Sequence, residues 1–427
     1  MRKTLCAVAV VLMGCVSQRA SGGTWYVDVL PKKYRDGTSW ERALKTIQRG
    51  IDAASDGDTV LVAHGTYVEN VFLRKKITLV GAEGGGTVLD AGANGVALTV
   101  INAEGLAIRD LTVTNAAGDA FGGLYCANST VSAERCKIEG NSAAFGGGVF
   151  LSKSCVTLRE CRIAGNTAEK SGGGIYAWQS RMLIDGCVIT ENSADEGGGL
   201  FCWYSAPRVV RTVIAKNSAA ICGGILCDEA FPIIVNCTIA DNSSTQEEVG
   251  GLHGMEGVFT SSVPRITDSI IWGNGKAISG AGQVRIEFCD TDETGYAGAD
   301  GNLSEDPQFV NATEGDYTLV QGSPCIDSGN PQPAYNDADG TRCDMGAFGG
   351  TGYVRERAVI THVISELAQD ILIYWLAASF DDFVVQFKKT LEEAWSPGTP
   401  IDTQEPWPDA NALTTEHSRF YRILPVQ

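Results

Sequence analysis

Short segments of alternating apolar and polar residues recur along the middle of the chain and predict strands. Each segment alternates over four to six residues and ends at a glycine or an asparagine, and none is long enough for a helix. The segments form five similar units: AERCKIEGNSAAFGGGVFL, LRECRIAGNTAEKSGGGIYA, LIDGCVITENSADEGGGLFC, VVRTVIAKNSAAICGGILC and IVNCTIADNSS. This periodicity predicts an all-β fold built from repeats.

Five asparagines define the length of the unit. They follow one another at intervals of 25, 26, 25 and 25 residues: Asn141, Asn166, Asn192, Asn217 and Asn242. An isoleucine precedes each asparagine by three residues, and a cysteine or threonine precedes it by five. Short strands joined by corner turns at this spacing predict the coils of a parallel β-solenoid, each about 4.8 Å from the next.

Each column of equivalent residues has a predicted role. Asparagine tolerates the left-handed backbone conformation and can hydrogen-bond its stacked neighbour, so we expect it to close a turn. The glycine pair supplies backbone freedom at a second corner. Cys136, Cys161, Cys187 and Cys237 are expected to point inward as small apolar side chains with buried, reduced thiols.

These repeats resemble those of the pectate-lyase-like superfamily, whose fold is the right-handed parallel β-helix. The resemblance implies such a helix over residues 58–320, preceded by an N-terminal cap at 23–57. Apolar residues at helical spacing, among them Leu44, Ile47 and Ile51, predict an amphipathic helix over 39–54 that covers the first coil.

The chain changes in character after Cys289. The motifs Asp306-Pro307, SPCIDSG at 323–329 and the run 337–346 resemble the choice-of-anchor Q module of exported bacterial β-helix proteins. This resemblance implies a C-terminal cap at 321–353 that closes the rod. Residues 354–427 contain no repeat and predict a small accessory β domain, with a helix as the alternative for VISELAQDI.

Two groups in the cap module have candidate chemistry. Asp337, Asp339 and Asp344 surround a tight turn, where they could supply oxygens to a calcium ion or could instead cap backbone amides. Cys325 and Cys343 lie outside the inward column, and they either form a local disulfide or remain free thiols. Calcium is the one cofactor that these residues suggest.

The first residues predict export. Arg2 and Lys3 precede an apolar run at 4–13 that is too short to span a bilayer, so residues 1–22 are interpreted as a signal segment. The run ends in LMGC, which resembles a bacterial lipobox and implies lipidation of Cys15. Ordinary cleavage near 20–22 is the alternative. The expected location is therefore the outer membrane or cell surface through the lipid, or the medium after secretion.

The composition of the chain limits the classes of partner that it can bind. The 427-residue chain has 51 acidic and 33 basic residues and a formal net charge of -18, which argues against nucleic acid. Its four histidines argue against a His-rich metal enzyme. We expect a monomer whose partner is a polysaccharide or a cell-surface glycan.

A row of aromatic side chains supplies the candidate ligand site. If Ile175 and Ala177 point inward, alternation turns Tyr176 and Trp178 outward, and the next coil repeats the pattern. The predicted site consists of Tyr176, Trp178, Phe201, Trp203, Tyr204 and Asp228. Flat rings about 4.8 Å apart can stack on successive sugar units. The alternative is that the C-terminal domain or a long loop covers these rings.

Two classes of function are compatible with such a rod. A polysaccharide lyase needs carboxylates and a base on one outer face, and a glycoside hydrolase needs two acids about 5–10 Å apart. Neither of two outward columns assembles such a set. The first column contains Lys137, Arg162, Val188, Val213 and Thr238. The second contains Glu134, Arg159, Asp185, Val210 and Val235. We therefore favour a noncatalytic polysaccharide-binding or adhesion scaffold without catalytic residues, with a lyase or hydrolase as the alternative.

Overall fold

The computed structural model describes residues 22–246, 249–255, 264–280 and 284–350, and the backbone of six strands between 359 and 425. The chain winds into a solenoid whose coils contribute strands to as many as four parallel sheets. A short helix lies at its N-terminal end, and small antiparallel sheets follow it. The predicted fold class, an all-β right-handed parallel β-helix, is therefore confirmed.

Two long sheets form adjacent walls of the solenoid. The first has eleven strands: Thr24–Val27, Thr59–Val62, Thr78–Val80, Glu104–Arg109, Thr130–Glu134, Cys155–Arg159, Arg181–Asp185, Ala206–Val210, Ile233–Val235, Arg265–Thr267 and Arg285–Glu287. The second has ten: Gly65–Val68, Thr87–Asp90, Leu111–Thr114, Lys137–Glu139, Arg162–Ala164, Val188–Thr190, Val213–Ala215, Thr238–Ala240, Ile270–Trp272 and Asp290–Thr291.

Two further sheets complete the coils. The third has six strands: Ala117–Phe121, Ser142–Phe145, Thr167–Ser171, Ser193–Glu196, Ser218–Ile221 and Ser243–Ser244. The fourth has nine: Val71–Leu73, Leu98–Ile101, Leu124–Ala127, Val149–Ser152, Ile175–Trp178, Leu200–Trp203, Ile225–Asp228, Val249–Met255 and Lys276–Gly280. The chain passes through the sheets in this order before it starts the next coil.

The inner columns form one continuous core that extends from Val27 to Cys289. Ile138 and Ile163 are paired residues on adjacent coils, and both are fully buried. Cys136 is also buried, and its thiol is free, as predicted for the cysteine column. Strand alternation accounts for this arrangement, because every second side chain faces the interior.

A ladder of buried asparagine side chains forms one corner of the solenoid. Asn192 donates a hydrogen bond of 2.9 Å to the side-chain oxygen of Asn217 and one of 3.0 Å to the carbonyl oxygen of Ile163. The stacking is as predicted, but the left-handed residue lies one position earlier, at Gly165 and Glu191. The asparagine that follows the left-handed residue has its own amide N–H bound to the next side chain of the ladder.

The glycine corner depends on close approach between coils. Gly172 has a φ of +70°, which favours glycine. Gly173 lies so close to the next coil that a Cβ atom there would be 2.4 Å from the carbonyl oxygen of Ser193. Cys222 occupies the left-handed position on a later coil, with a φ of +54°.

Only part of the helix predicted over 39–54 forms. A 3₁₀ turn spans Trp40–Arg42, and the helix α1 spans Ile47–Ala53 with Thr46 as its N-cap. Between them Leu44 is extended and pairs with Val27, so its apolar side chain belongs to a strand-like bridge rather than to the helix. The shorter helix still covers the first coil, as predicted, because its buried face packs against the first strands.

Residues 306–350 cover the side of the solenoid, which corrects the prediction that this module closes its end. The Tyr317 hydroxyl donates a hydrogen bond of 2.8 Å to the Asp241 carboxylate, and the Ala347 amide donates one of 3.0 Å to the Thr238 hydroxyl. These contacts lie on the outer face of the second sheet. The module contains the antiparallel strands Phe309–Asn311 and Asp316–Leu319, and 3₁₀ turns at Ala312–Glu314 and Pro333–Tyr335.

The segment 292–305 covers the last coil instead. Its 3₁₀ turn Thr294–Tyr296 packs Tyr296 against the main core. Asn302 accepts a hydrogen bond of 2.9 Å from the amide of Cys289, which satisfies a donor at the end of the rod. The predicted boundary at 320 therefore falls inside the module, since the last solenoid strand is Asp290–Thr291.

The C-terminal part has strands in two antiparallel sheets: Val359–Leu367, Asp370–Leu376, Phe383–Lys388, Thr399–Pro400, Trp407–Asp409 and Phe420–Pro425. The first of these includes VISEL, so the helical alternative for that stretch is wrong. A further 3₁₀ turn lies at Glu83–Gly85 in the solenoid. Across the described residues, no helix has the length and apolar character needed to span a bilayer.

Candidate functional site

Trp178 and Trp203 end neighbouring strands of the fourth sheet and are paired in register. The strands end there because the chain turns towards the first sheet, as at Tyr204, which has a φ of +48°. A buried serine ladder supports this corner from inside: the amide of Ser180 donates a hydrogen bond of 3.1 Å to the hydroxyl of Ser205. The two tryptophans are therefore held by fixed backbone on adjacent coils.

Three rings form an accessible surface that we call the tryptophan platform: Trp178, Trp203 and Tyr204. The ring centroids of Trp178 and Trp203 lie 6.3 Å apart, with an angle of 30° between the planes, and the Tyr204 ring lies 5.5 Å from that of Trp203. Trp203 is 36% exposed, and the other two rings are partly exposed. Asp228 is the residue paired with Trp203 on the next coil, so the structure brings these four predicted residues together.

Tyr176 and Phe201 point outward from the core, as alternation predicts, but they are only 7% and 5% exposed. Their rings stack 5.0 Å apart in a column that continues through Phe150 and Leu226. Side chains of the third sheet cover this column, among them Phe145, whose ring centroid is 5.7 Å from that of Tyr176. These two predicted site residues therefore form a second small core and have little surface for a ligand.

The sequence contains a signal for the third-sheet side chains that cover this column. Phe121, Phe145 and Ile221 recur between the asparagine corner and the glycine corner, where an exposed turn would not need large apolar residues. They belong to a sheet of the rod itself, whereas the predicted covering elements were the C-terminal domain or a long loop.

Charge is distributed unevenly along the platform. The Lys153 ammonium lies 5.7 Å from the centroid of the Trp178 ring, on the coil before it. Asp228 lies on the coil after Trp203, and burial, then the charges of Glu229 and Glu196, raise the pKa of its carboxyl. Asp228 is partly exposed beside Trp203, so a ligand on the platform can reach its carboxylate.

The predicted outward columns are confirmed in register, and the carboxylates on the first sheet pair with arginines. Asp185 accepts a hydrogen bond of 3.0 Å from the Nε of Arg211, and the Nε of Arg159 lies 3.9 Å from the same carboxylate. Arg135 pairs with Asp110 at 2.9 Å in the same way. Each of these carboxylates therefore has an arginine as its partner.

The three aspartates of the calcium hypothesis bind backbone amides. Asp337 accepts a hydrogen bond of 3.1 Å from the Asp344 amide, and Asp344 accepts one of 2.7 Å from the Asp327 amide. Asp339 accepts one of 3.0 Å from the Thr341 amide. This is the amide-capping alternative. In the part of the chain that the structure describes, no three His, Cys, Asp or Glu side chains are grouped to hold a metal ion.

Cys325 and Cys343 are separate free thiols. The structure therefore agrees with the alternative of free thiols rather than with a local disulfide. The Cys325 thiol lies 3.1 Å from the carboxylate of Asp290, and the Cys343 sulfur accepts a hydrogen bond of 3.2 Å from Asn236. The first contact lies in the last strand of the second sheet, and the second lies at the turn between Ile233–Val235 and Thr238–Ala240. The predicted lipidation site, Cys15, lies outside the described residues.

Comparisons with known proteins agree with this fold. The family model described as "Right handed beta helix region" matches residues 101–291. Among solved structures, pectate lyase Pel9A is similar with a TM-score of 0.52 and 13% identity, over 77% of this chain and 96% of that chain. The class of protein is therefore a right-handed parallel β-helix, and at this identity the likeness shows the fold alone.

Two pectin methylesterases are more distant neighbours. PemA from Erwinia chrysanthemi has a TM-score of 0.36 and 12% identity, over 70% of this chain and 99% of that chain. A pectin methylesterase in complex with hexasaccharide VII has a TM-score of 0.34 and 14% identity, over 68% of this chain and 99% of that chain. No curated protein matches this sequence at a significant level.

Proposed function

We propose that this protein is an exported, noncatalytic scaffold that binds a polysaccharide chain at the tryptophan platform. The observation on which the proposal depends is the pairing of Trp178 with Trp203, two accessible rings at the same position of adjacent coils. Indole faces stack on the apolar faces of sugar rings, and the two ring centroids, 6.3 Å apart, are close enough for one short stretch of a polysaccharide to contact both.

Rigid positioning supports binding rather than chemistry at this site. Because both rings are at strand ends, little side-chain and backbone freedom has to be lost when a ligand binds. Asp228 adds hydrogen-bond acceptors beside the rings. The arginine-paired carboxylates on the first sheet do not form the acid pair or the base that cleavage of a glycosidic bond requires.

A glycan array tests the binding proposal. The full chain, fluorescently labelled, is applied to an array of neutral and acidic polysaccharides, and the same samples are followed by absorbance for unsaturated sugar products. We expect retention on at least one polysaccharide and no change in absorbance. Appearance of unsaturated products would mean a lyase, and failure to bind any polysaccharide would remove the proposal.

Export through a lipid anchor is part of the same proposal. The residues before Cys15 resemble a lipobox, and the first described strand begins at Thr24, so a lipid would lie within nine residues of the rod. Cells that express the chain are labelled with a palmitate analogue. We expect label on the wild type and none on Cys15→Ala. Label that persists in the variant would contradict lipidation.

A further inference from the structure

The charges beside the tryptophan platform indicate a class of glycan, an inference that rests on the proposed function. We infer that the platform selects neutral polysaccharides and discriminates against polyuronic acids, in which every sugar has a carboxylate. The groups concerned are Asp228 with Glu196 at one end of the platform, and Lys153 at the other.

Asp228 lies where a bound chain must pass. It is the residue paired with Trp203 on the next coil, so a sugar stacked on Trp203 has its neighbouring unit over Asp228. Hydroxyl groups of a neutral sugar can donate hydrogen bonds to a carboxylate, and such charge-assisted bonds are strong. A uronate carboxylate can only accept, so the same approach brings two negative charges together without a proton between them.

A second acid, Glu196, strengthens the negative end. Glu196 is held in place by a hydrogen bond of 2.8 Å from the Ser171 hydroxyl. Burial, together with the charges of Glu196 and Asp228, raises the pKa of the covered Tyr176 hydroxyl to about 12, so both acids are close to the aromatic column.

The basic side chain that contacts the platform lies at the end opposite Asp228. Lys153 is exposed, but its ammonium is over the Trp178 ring on the far side of the pair. Arg181 and Arg208 lie beyond the corner on the first sheet, where each has an interaction of its own. A polyuronate that spans the platform would gain one contact with Lys153 and meet repulsion at Asp228, and the net charge of -18 adds to the repulsion.

Matched pairs of hexasaccharides test this selection. Each pair has the same linkage, either α-1,4 or β-1,4, and differs only by oxidation of C6 to a carboxylate. Binding to wild type is measured at low ionic strength and again at about 0.5 M salt, where charges are screened. We expect the neutral member of at least one pair to bind about fivefold or more tightly than its uronate, with the difference shrinking in high salt.

Two substitutions locate the effect. Asp228→Asn should reduce the preference for the neutral member by about fivefold, because it removes the charge and keeps the size of the side chain. Glu104→Gln is the matched control, since Glu104 is an exposed acid on another sheet and its removal changes the net charge equally. We expect this variant to behave as the wild type.

The outcomes separate the inference from the proposed function. Equal or tighter binding of the uronate by wild type would overturn the inference while leaving a glycan-binding platform in place. An unchanged preference in Asp228→Asn would likewise overturn the role of Asp228. Absence of binding to either member of every pair would overturn the proposed function itself, and with it the inference.

Discussion

Asn192 donates a side-chain hydrogen bond of 2.9 Å to Asn217, which occupies the same corner on the next coil. Asn192 also accepts bonds from both the amide and the side chain of Asn166 on the preceding coil. All three side chains are buried, so each bond has no competing water. The ladder links the coils along the rod through side chains as well as through strands.

Asn192→Ala should therefore destabilise the rod by about 3 kcal/mol, because it leaves the Asn166 donors and the Ile163 carbonyl without partners. The free energy of unfolding in urea measures this loss. Asp195→Ala, at an exposed position on the same coil, should change it by less than about 0.5 kcal/mol. Equal losses for the two variants would contradict the importance of the ladder.

The sequence predicts most of the solenoid because its repeats are local and periodic. The intervals between asparagines place Ile138, Ile163 and Ile189 in one inward column, and the structure pairs them in that register. Strand alternation also predicts which residues point outward, since this depends only on position along one strand. Contacts between segments that are distant in the chain are not encoded in that periodicity.

The segments that cover the rod show what the periodicity of the sequence does not predict. The second-sheet column changes from Lys137 and Arg162 to Val188 and Val213, and the structure explains the change by the module at 306–350, which packs near Val213. The change of residue type was visible in the sequence, but what covers those residues depends on long-range packing. The cover of the aromatic row, by contrast, had a signal in the sequence, in the apolar residues Phe121, Phe145 and Ile221 of the third sheet.

Buried thiols should be unreactive in the folded protein. Eleven of the twelve described cysteines are buried, Cys155 being the partly exposed one, and burial raises the pKa of thiols such as Cys126 and Cys237 to about 12. A thiol reagent at neutral pH, without reductant, should modify little of the native protein and several cysteines after unfolding in denaturant. Finding no reactive thiol in the unfolded chain would contradict the reduced state.

Asp268 should make the contact between the module and the rod sensitive to pH. This carboxyl is buried and accepts a hydrogen bond of 2.6 Å from the amide of Asn330, and burial raises its pKa from 3.8 to about 6. The folded protein thus favours the neutral form. Its contribution to stability is fully present below about pH 4 and is lost as the pH rises through about 6.

Asp268→Asn isolates this contribution, because asparagine stays neutral and tolerates the left-handed backbone at this position, where φ is +52°. We expect wild type and variant to have similar free energies of unfolding near pH 4. Near pH 7.5 the variant should be the more stable one, by as much as about 3 kcal/mol. A difference that does not grow with pH would show that Asp268 is not the responsible group.

Calorimetric titration of the polysaccharide selected by the array is the most direct test of the tryptophan platform. The double variant Trp178→Ala plus Trp203→Ala is compared with wild type and with Trp40→Ala, which removes a 41% exposed tryptophan from the N-terminal cap. We predict that the double variant loses at least about tenfold in affinity, equivalent to about 1.4 kcal/mol, while keeping the wild-type circular dichroism, and that Trp40→Ala binds normally. Normal binding by a folded double variant would contradict the account.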